Sequence, residues 1–303
     1  MLKIEKKNQF LFGVIICLIS AIMFSSKGVI VKLIFNVSTI NSIGVLSLRM
    51  LFAFPFYLAV AIYFLRKEKA FPFKGKQWIQ MLALGLLGYY CSSFFDMWGL
   101  SYISVFIERI VIFTYPTIVL ILSFFFLKKK ISTFQVFALV ITYLGIFIAF
   151  KAGKMEQNLS NLKIGGLLVF ISAFTYACYM VFGTKIIQQV GSLKFTCYAL
   201  MVSSFGVFAH YFIDGSQSLI NEPNIVYAYG FYLAVIGTVI PTFLTAEGIR
   251  LIGASNVAII SSIGPISTIG LAYVFLGEKI TGLEILGTIF VVGGVLLISL
   301  QKK

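Results

Sequence analysis

Ten long apolar runs, parted by short polar stretches, take up most of the 303 residues. They fall at 10–34, 41–65, 77–96, 104–127, 134–150, 164–188, 193–213, 225–249, 255–276 and 283–300. The hydrocarbon core of a bilayer is about 30 Å thick, and about 20 apolar residues cross it as a helix. Each run meets that length approximately. The runs are continuous, without the apolar–polar alternation of a lipid-facing barrel strand, so their backbone must satisfy its own hydrogen bonds as helices. The pattern predicts an all-α membrane protein of ten transmembrane helices. Most connections are short, which makes successive helices antiparallel neighbours. The first run follows Lys3, Lys6 and Lys7, is too long for a signal-peptide core and has no clear cleavage site. It is expected to remain as the first helix.

The runs also repeat. Sliding the second half onto the first by 149 residues aligns 88–131 with 237–280 without a gap, at 11 identities in 44 positions. The matches include Gly88 with Gly237, Gly99 with Gly248 and Pro116 with Pro265. Further on, Gly145 meets Gly294, and Ile19-Ser20-Ala21 resembles Ile171-Ser172-Ala173 at an offset of 152. A small apolar alphabet produces chance matches, but not readily an aligned proline and two glycines. Five helices per half is an odd number, so the second half starts on the opposite side of the membrane. The expected organisation is two inverted five-helix repeats, 1–150 and 164–303, joined by an external linker at 151–163.

Composition and charge sharpen this picture. The chain is 60% hydrophobic and 11% charged, whereas soluble domains carry about 25% charged residues. The net charge of +14 would fit a nucleic-acid partner if it lay on one face. It lies instead in short loops, and no nucleic-acid partner is expected. With the N-terminus in the cytoplasm, 16 Lys and Arg fall on the cytoplasmic side and 4 on the other. That bias predicts a multi-pass protein of the plasma (inner) membrane with both termini cytoplasmic. Cys17, Cys91, Cys178 and Cys197 lie inside apolar runs, and His210 is the single histidine. No metal, disulfide or cofactor is expected from them. The sequence carries no HExxH, GxSxG or phosphate-binding loop, which weighs against an enzyme. A receptor or scaffold without transport is the other alternative. Nothing in the pattern requires an oligomer, and the partners expected are a small-molecule solute and the lipid bilayer.

Charges within the runs are the strongest chemical signal. An ionised side chain at the bilayer centre costs roughly 2.5–3.5 kcal/mol on insertion scales, so such residues face the protein interior or are paired. Lys27, Lys32, Arg49, Asp96, Glu108 and Arg109 all fall in one half of the first repeat, where the second repeat has Val257 and Ala258 opposite Glu108 and Arg109. Four bases against two acids leave a positive surplus, expected to attract the carboxylate or phosphate of an anionic or zwitterionic solute. The substrate-binding candidates are Lys27, Arg49, Glu108, Arg109, Tyr115 and Tyr176. The competing reading is an Arg–Glu108 pair that locks helices together, with Lys32 snorkelling to the surface. Consecutive helical positions point about 100° apart, so Glu108 and Arg109 are not expected to face one spot. Glu247 is the candidate for proton coupling, against the alternative of an ion pair with Arg250 at i+3. Pro116 and Pro265 are expected helix breaks beside a cavity. Gly85, Gly88, Gly165 and Gly166 are positions where helices can approach closely.

Residues 99–104 and 115–132, paired with 248–281, and the segments LGIFI at 144–148 and VGGVLL at 292–297, together resemble the drug/metabolite transporter superfamily. The likeness is to its ten-helix EamA-type members, and LSLRMLFAFPFYL around Arg49 is similar to their second helix. The resemblance covers essentially the whole chain. It implies a secondary transporter, often an exporter of amino acids or other metabolites, with a cavity between its halves. The first repeat departs from the pattern at Lys129, where the second has Glu278. Residues and resemblance together predict alternating-access transport of a small metabolite, driven by a gradient or by exchange.

Overall fold

The computed structural model describes residues 2–68, 75–103, 105–112, 114–151, 159–215, 219–276 and 282–299. Every apolar run lies on a helix. The first two are α1 (Leu2–Val37) and α2 (Ser42–Glu68). The third is α3 (Lys76–Gly85) and α4 (Ser92–Tyr102), joined through a π-helical turn at Leu86–Cys91. The fourth splits into α5 (Val105–Ile112) and α6 (Tyr115–Leu127), and the fifth is α7 (Thr133–Lys151). The second half opens with α8 (Leu159–Val190) and α9 (Ser192–Asp214). There follow α10 (Asn224–Ala234), a π turn at Val235–Val239, and α11 (Ile240–Ile252). The ninth run is α12 (Ala254–Ile260), a 3₁₀ turn at Ser261–Ile263 and α13 (Gly264–Leu276); α14 (Gly282–Ser299) is the tenth. Among the described residues, six spans are long and apolar enough to cross a membrane unaided, and the shorter or broken apolar helices complete the ten.

The repeat is visible in the irregularities. The π turn beginning at Leu86 recurs at Val235, the same 149 residues on that align the sequences. Both halves then break their fourth helix and restart it with a proline second, at Pro116 in α6 and Pro265 in α13. A side-chain contact repeats as well. The Ser20 hydroxyl of α1 donates to the Pro241 carbonyl of α11 at 2.7 Å. Ser172 of α8 meets Ser92 of α4, the positions equivalent to Ser20 and Pro241, at 3.2 Å. Two five-helix units of opposite sense thus share one plan.

Lipid provides no hydrophobic drive between helices, so close approach through small residues does much of the work. A Cβ on Gly294 of α14 would stand 2.3 Å from Thr142 Oγ1 of α7, and one on Gly145 of α7 would stand 2.6 Å from the Gly287 carbonyl. Gly88 has its close neighbour in Tyr179, at 2.3 Å, and Gly85 in the Ala199 carbonyl, at 2.7 Å. Gly165 crosses α4 beside Gly99. Gly166 has open space in front of it, so the sequence expectation does not hold there. Phe125, Phe137, Phe212 and Ile213 project outward as the lipid-facing surface.

Two boundaries differ from the sequence pattern. Asp96 does not close the third helix: α4 continues to Tyr102, and Asp96 is buried inside it. The polar Ser93 and Ser101 dilute hydropathy there without interrupting hydrogen bonding. The sixth helix starts at Leu159, within the stretch expected to be a linker. Linker residues 152–158 and the loop around Glu278 and Lys279 lie outside the described residues.

Candidate functional site

The halves enclose a cavity of about 120 Å³, of the order of the ~150 Å³ cavity that admits benzene in an engineered protein. The first half supplies walls from α1, α2, α4, α5 and α6; the second supplies α8, α9, α11, the 3₁₀ turn and α13. The π turns contribute Gly88 and Tyr89 from one side and Thr238 from the other. Such turns recur at functional sites because the extra residue re-aims the helix face and loosens its hydrogen bonding. The helix breaks border the cavity too, through Ile112 and Tyr115 in one half and Ser261 and Gly264 in the other.

Lys27, Arg49, Glu108, Arg109, Tyr115 and Tyr176 all line this one cavity, and Asp96 joins them. Lys27 of α1 forms an ion pair and hydrogen bond with Asp96 of α4. Arg109 Nε lies 3.1 Å from Glu108 Oε2. This corrects the expectation that neighbouring residues 100° apart would not share a surface. Their Cβ atoms diverge, but both side chains are long enough to converge beyond them. Arg49 is 2% exposed. Lys32 does not line the cavity, so the local inventory is three bases and two acids, a surplus of one positive charge when all are ionised.

The polar atoms of this cluster are incompletely satisfied. Arg49 Nε, Arg109 Nε and Nη2, Asp96 Oδ1 and Glu108 Oε2 are buried without a hydrogen-bond partner among the described residues. The Arg109–Glu108 contact is close but poorly oriented for a hydrogen bond. A buried donor without an acceptor costs about 1–3 kcal/mol, and more when it is charged. A guanidinium presents several donors in a fixed plane that fits a carboxylate or phosphate in bidentate fashion.

Aromatic side chains line the cavity as well. Tyr115 and Tyr176 meet edge to face at 5.6 Å, and Tyr176 stacks on Tyr179 at 5.9 Å. The Tyr115 hydroxyl donates to the Ala258 carbonyl of α12 at 3.2 Å, joining the two halves. Ser172, Thr238, Thr242 and Ser261 add hydroxyls from the second half. Sequence reasoning missed these, because a lone hydroxyl in an apolar helix bonds its own backbone, as Thr238 does to Leu233 and Thr242 to Thr238, both at 2.7 Å. The available signal was the repeat: Thr238 follows Gly237, the partner of Gly88. Glu247 lies outside the cavity, partly exposed, in contact with Arg250 and the Ser192 hydroxyl.

A model of the EamA-like transporter family matches the chain twice, over residues 11–151 and 163–300. The chain belongs to the EamA-like transporter family. It is a multi-pass membrane transporter protein of the drug/metabolite transporter superfamily. It is 28% identical over 288 residues to a Bacillus subtilis protein named uncharacterized transporter YcbK, covering 93% of this chain and 91% of that one. It is 26% identical over 298 residues to the uncharacterized inner membrane transporter YicL of Salmonella typhimurium, covering 96% of each. A solved crystal structure shares the fold, with a TM-score of 0.74 over 94% of this chain and 95% of its own, at 12% identity.

Proposed function

We propose that this EamA-like transporter moves a small anionic or zwitterionic metabolite by alternating access, with the solute's carboxylate or phosphate held by Arg49 and Arg109. The observation that carries this reading is a pair of buried guanidinium groups with unpartnered donors, both facing the same cavity between the halves. A solute oxyanion supplies the missing acceptors and offsets the surplus positive charge. The Tyr115–Tyr176 wall suits the solute's apolar part. Exchange of conformation between the inverted halves opens the cavity to one side and then the other. The resident membrane is the plasma or inner membrane, with both termini cytoplasmic, in keeping with the 16 to 4 distribution of loop Lys and Arg.

The test is a thermal-stability panel on the purified protein, in which each carboxylate metabolite is paired with its uncharged amide. A ligand that binds only the folded state raises the melting temperature by mass action, worth about 2.7 kcal/mol at a hundred times its dissociation constant. Acids are expected to stabilise wild type while their amides do not, and Arg49→Gln is expected to abolish the difference. Equal stabilisation by acids and amides overturns the anion reading.

A further inference from the structure

The ionisable groups of the cavity do not sort into two independent ion pairs. Lys27 holds Asp96, and Arg109 lies against Glu108, and all four side chains line the one cavity. Asp96 and Glu108 are 2% exposed or less. Each retains one oxygen without a hydrogen-bond partner, Oδ1 on Asp96 and Oε2 on Glu108. An ionised carboxylate is an acceptor only, whereas a protonated one also donates.

We propose that Glu108, buried beside Arg109 in the cavity, is a proton-carrying site, and that its proton enters and leaves together with the anionic solute. This rests on the anion-binding reading above and adds the driving ion to it. Glu108 is a built-in competitor for Arg109. When ionised, it neutralises the guanidinium and repels an incoming carboxylate. When it takes a proton from water on one side, Arg109 is released to the solute, and the five groups sum to two positive charges instead of one. Linkage is reciprocal, so bound solute holds the proton by the same factor. Both leave on the other side, the proton to water there. One proton and one monoanion cross with no net charge, and a proton gradient then drives the solute in the direction the proton moves.

The groups that face Glu108 fix this balance. They are Lys27 on α1, Asp96 on α4 and Arg109 on α5, while Arg49 on α2, Tyr115 on α6 and Tyr176 on α8 line the same cavity. Among its described side chains, α13 adds no titratable group to the wall. Glu247 is outside the cavity and takes no part.

Two measurements on the purified protein test the proposal. Infrared difference titration needs no solute. Wild type should show the carbonyl stretch of a buried protonated carboxyl that is lost on raising the pH, and Glu108→Gln should lack that change. Absence of the band at every pH in a folded wild type overturns the proton site. The second measurement uses methanesulfonate, an anion that does not itself titrate, with dimethyl sulfone as its uncharged control. Wild type should bind methanesulfonate about tenfold more tightly at acidic than at alkaline pH, within the usual range of coupled sites. Glu108→Gln should bind it with the same affinity at both. A titrating band with pH-independent methanesulfonate binding overturns the coupling alone. A titrating band with no preference for methanesulfonate over the sulfone at any pH instead overturns the anion reading. Asp96→Asn serves as the second variant if Glu108→Gln fails to fold, and is expected to move the same band to lower pH; a band unmoved in Asp96→Asn overturns its assignment to Glu108.

Discussion

Lys27 and Asp96 tie α1 to α4 through an ion pair whose side chains are 16% and 2% exposed. Removing one partner of such a pair strands a buried charge, which costs about 3–5 kcal/mol, whereas replacing both with neutral groups often costs little. Lys27→Met is therefore expected to lower the melting temperature in detergent, and Lys27→Met with Asp96→Asn to recover most of the loss. A double variant no more stable than the single one contradicts the pairing. At this scale the sequence was informative where burial is expensive. Charged residues inside apolar runs have few tolerable locations, and Lys27, Arg49, Glu108 and Arg109 all line one cavity. It was uninformative for Ser172, Thr238 and Thr242, whose hydroxyls are cheap to accommodate anywhere in a helix. It did separate Lys27, well inside its run, from Lys32 nearer the end of the same helix, and of the two only Lys27 lines the cavity.

The helices meet where glycine leaves room, and two adjacent positions on α14 isolate that effect. A Cβ on Gly294 would stand 2.3 Å from Thr142 Oγ1 and 2.8 Å from the Ala138 carbonyl, while one on Gly293 meets nothing within 4 Å. Gly294→Ala is expected to destabilise by about 1–3 kcal/mol through overpacking. Gly293→Ala should stay within about 0.5 kcal/mol of wild type. Thermal unfolding of the two variants side by side checks this, and equal effects contradict the α7–α14 packing. The helices themselves were legible, since all ten apolar runs lie on them. Their ends and interruptions were less so. Hydropathy falls before α4 ends, because its polar residues are helix-compatible, and nothing in composition marks a π turn. The aligned Pro116 and Pro265 did signal the restart of α6 and α13, because proline fits the first turn of a helix and not its interior.

Taken whole, the molecule combines a symmetric scaffold with an asymmetric interior. The π turns, the broken fourth helices and the Ser20 and Ser172 contacts recur in both halves. The charges do not, since Val257 and Ala258 replace Glu108 and Arg109 in the second repeat. In the proposed alternating-access cycle, the scaffold is the part that exchanges conformations and the interior the part that selects the solute. Only the comparison of the halves with each other made this division legible, since neither half alone separates framework from cargo site. The most direct test loads proteoliposomes with a uniformly labelled metabolite extract and follows efflux by mass spectrometry. Wild type is expected to show time-dependent loss of one or a few carboxylate- or phosphate-bearing solutes, and Arg49→Gln and Arg109→Gln proteins that remain folded to retain the same solutes. Efflux no different from empty liposomes, or efflux of uncharged or cationic solutes alone, would contradict it.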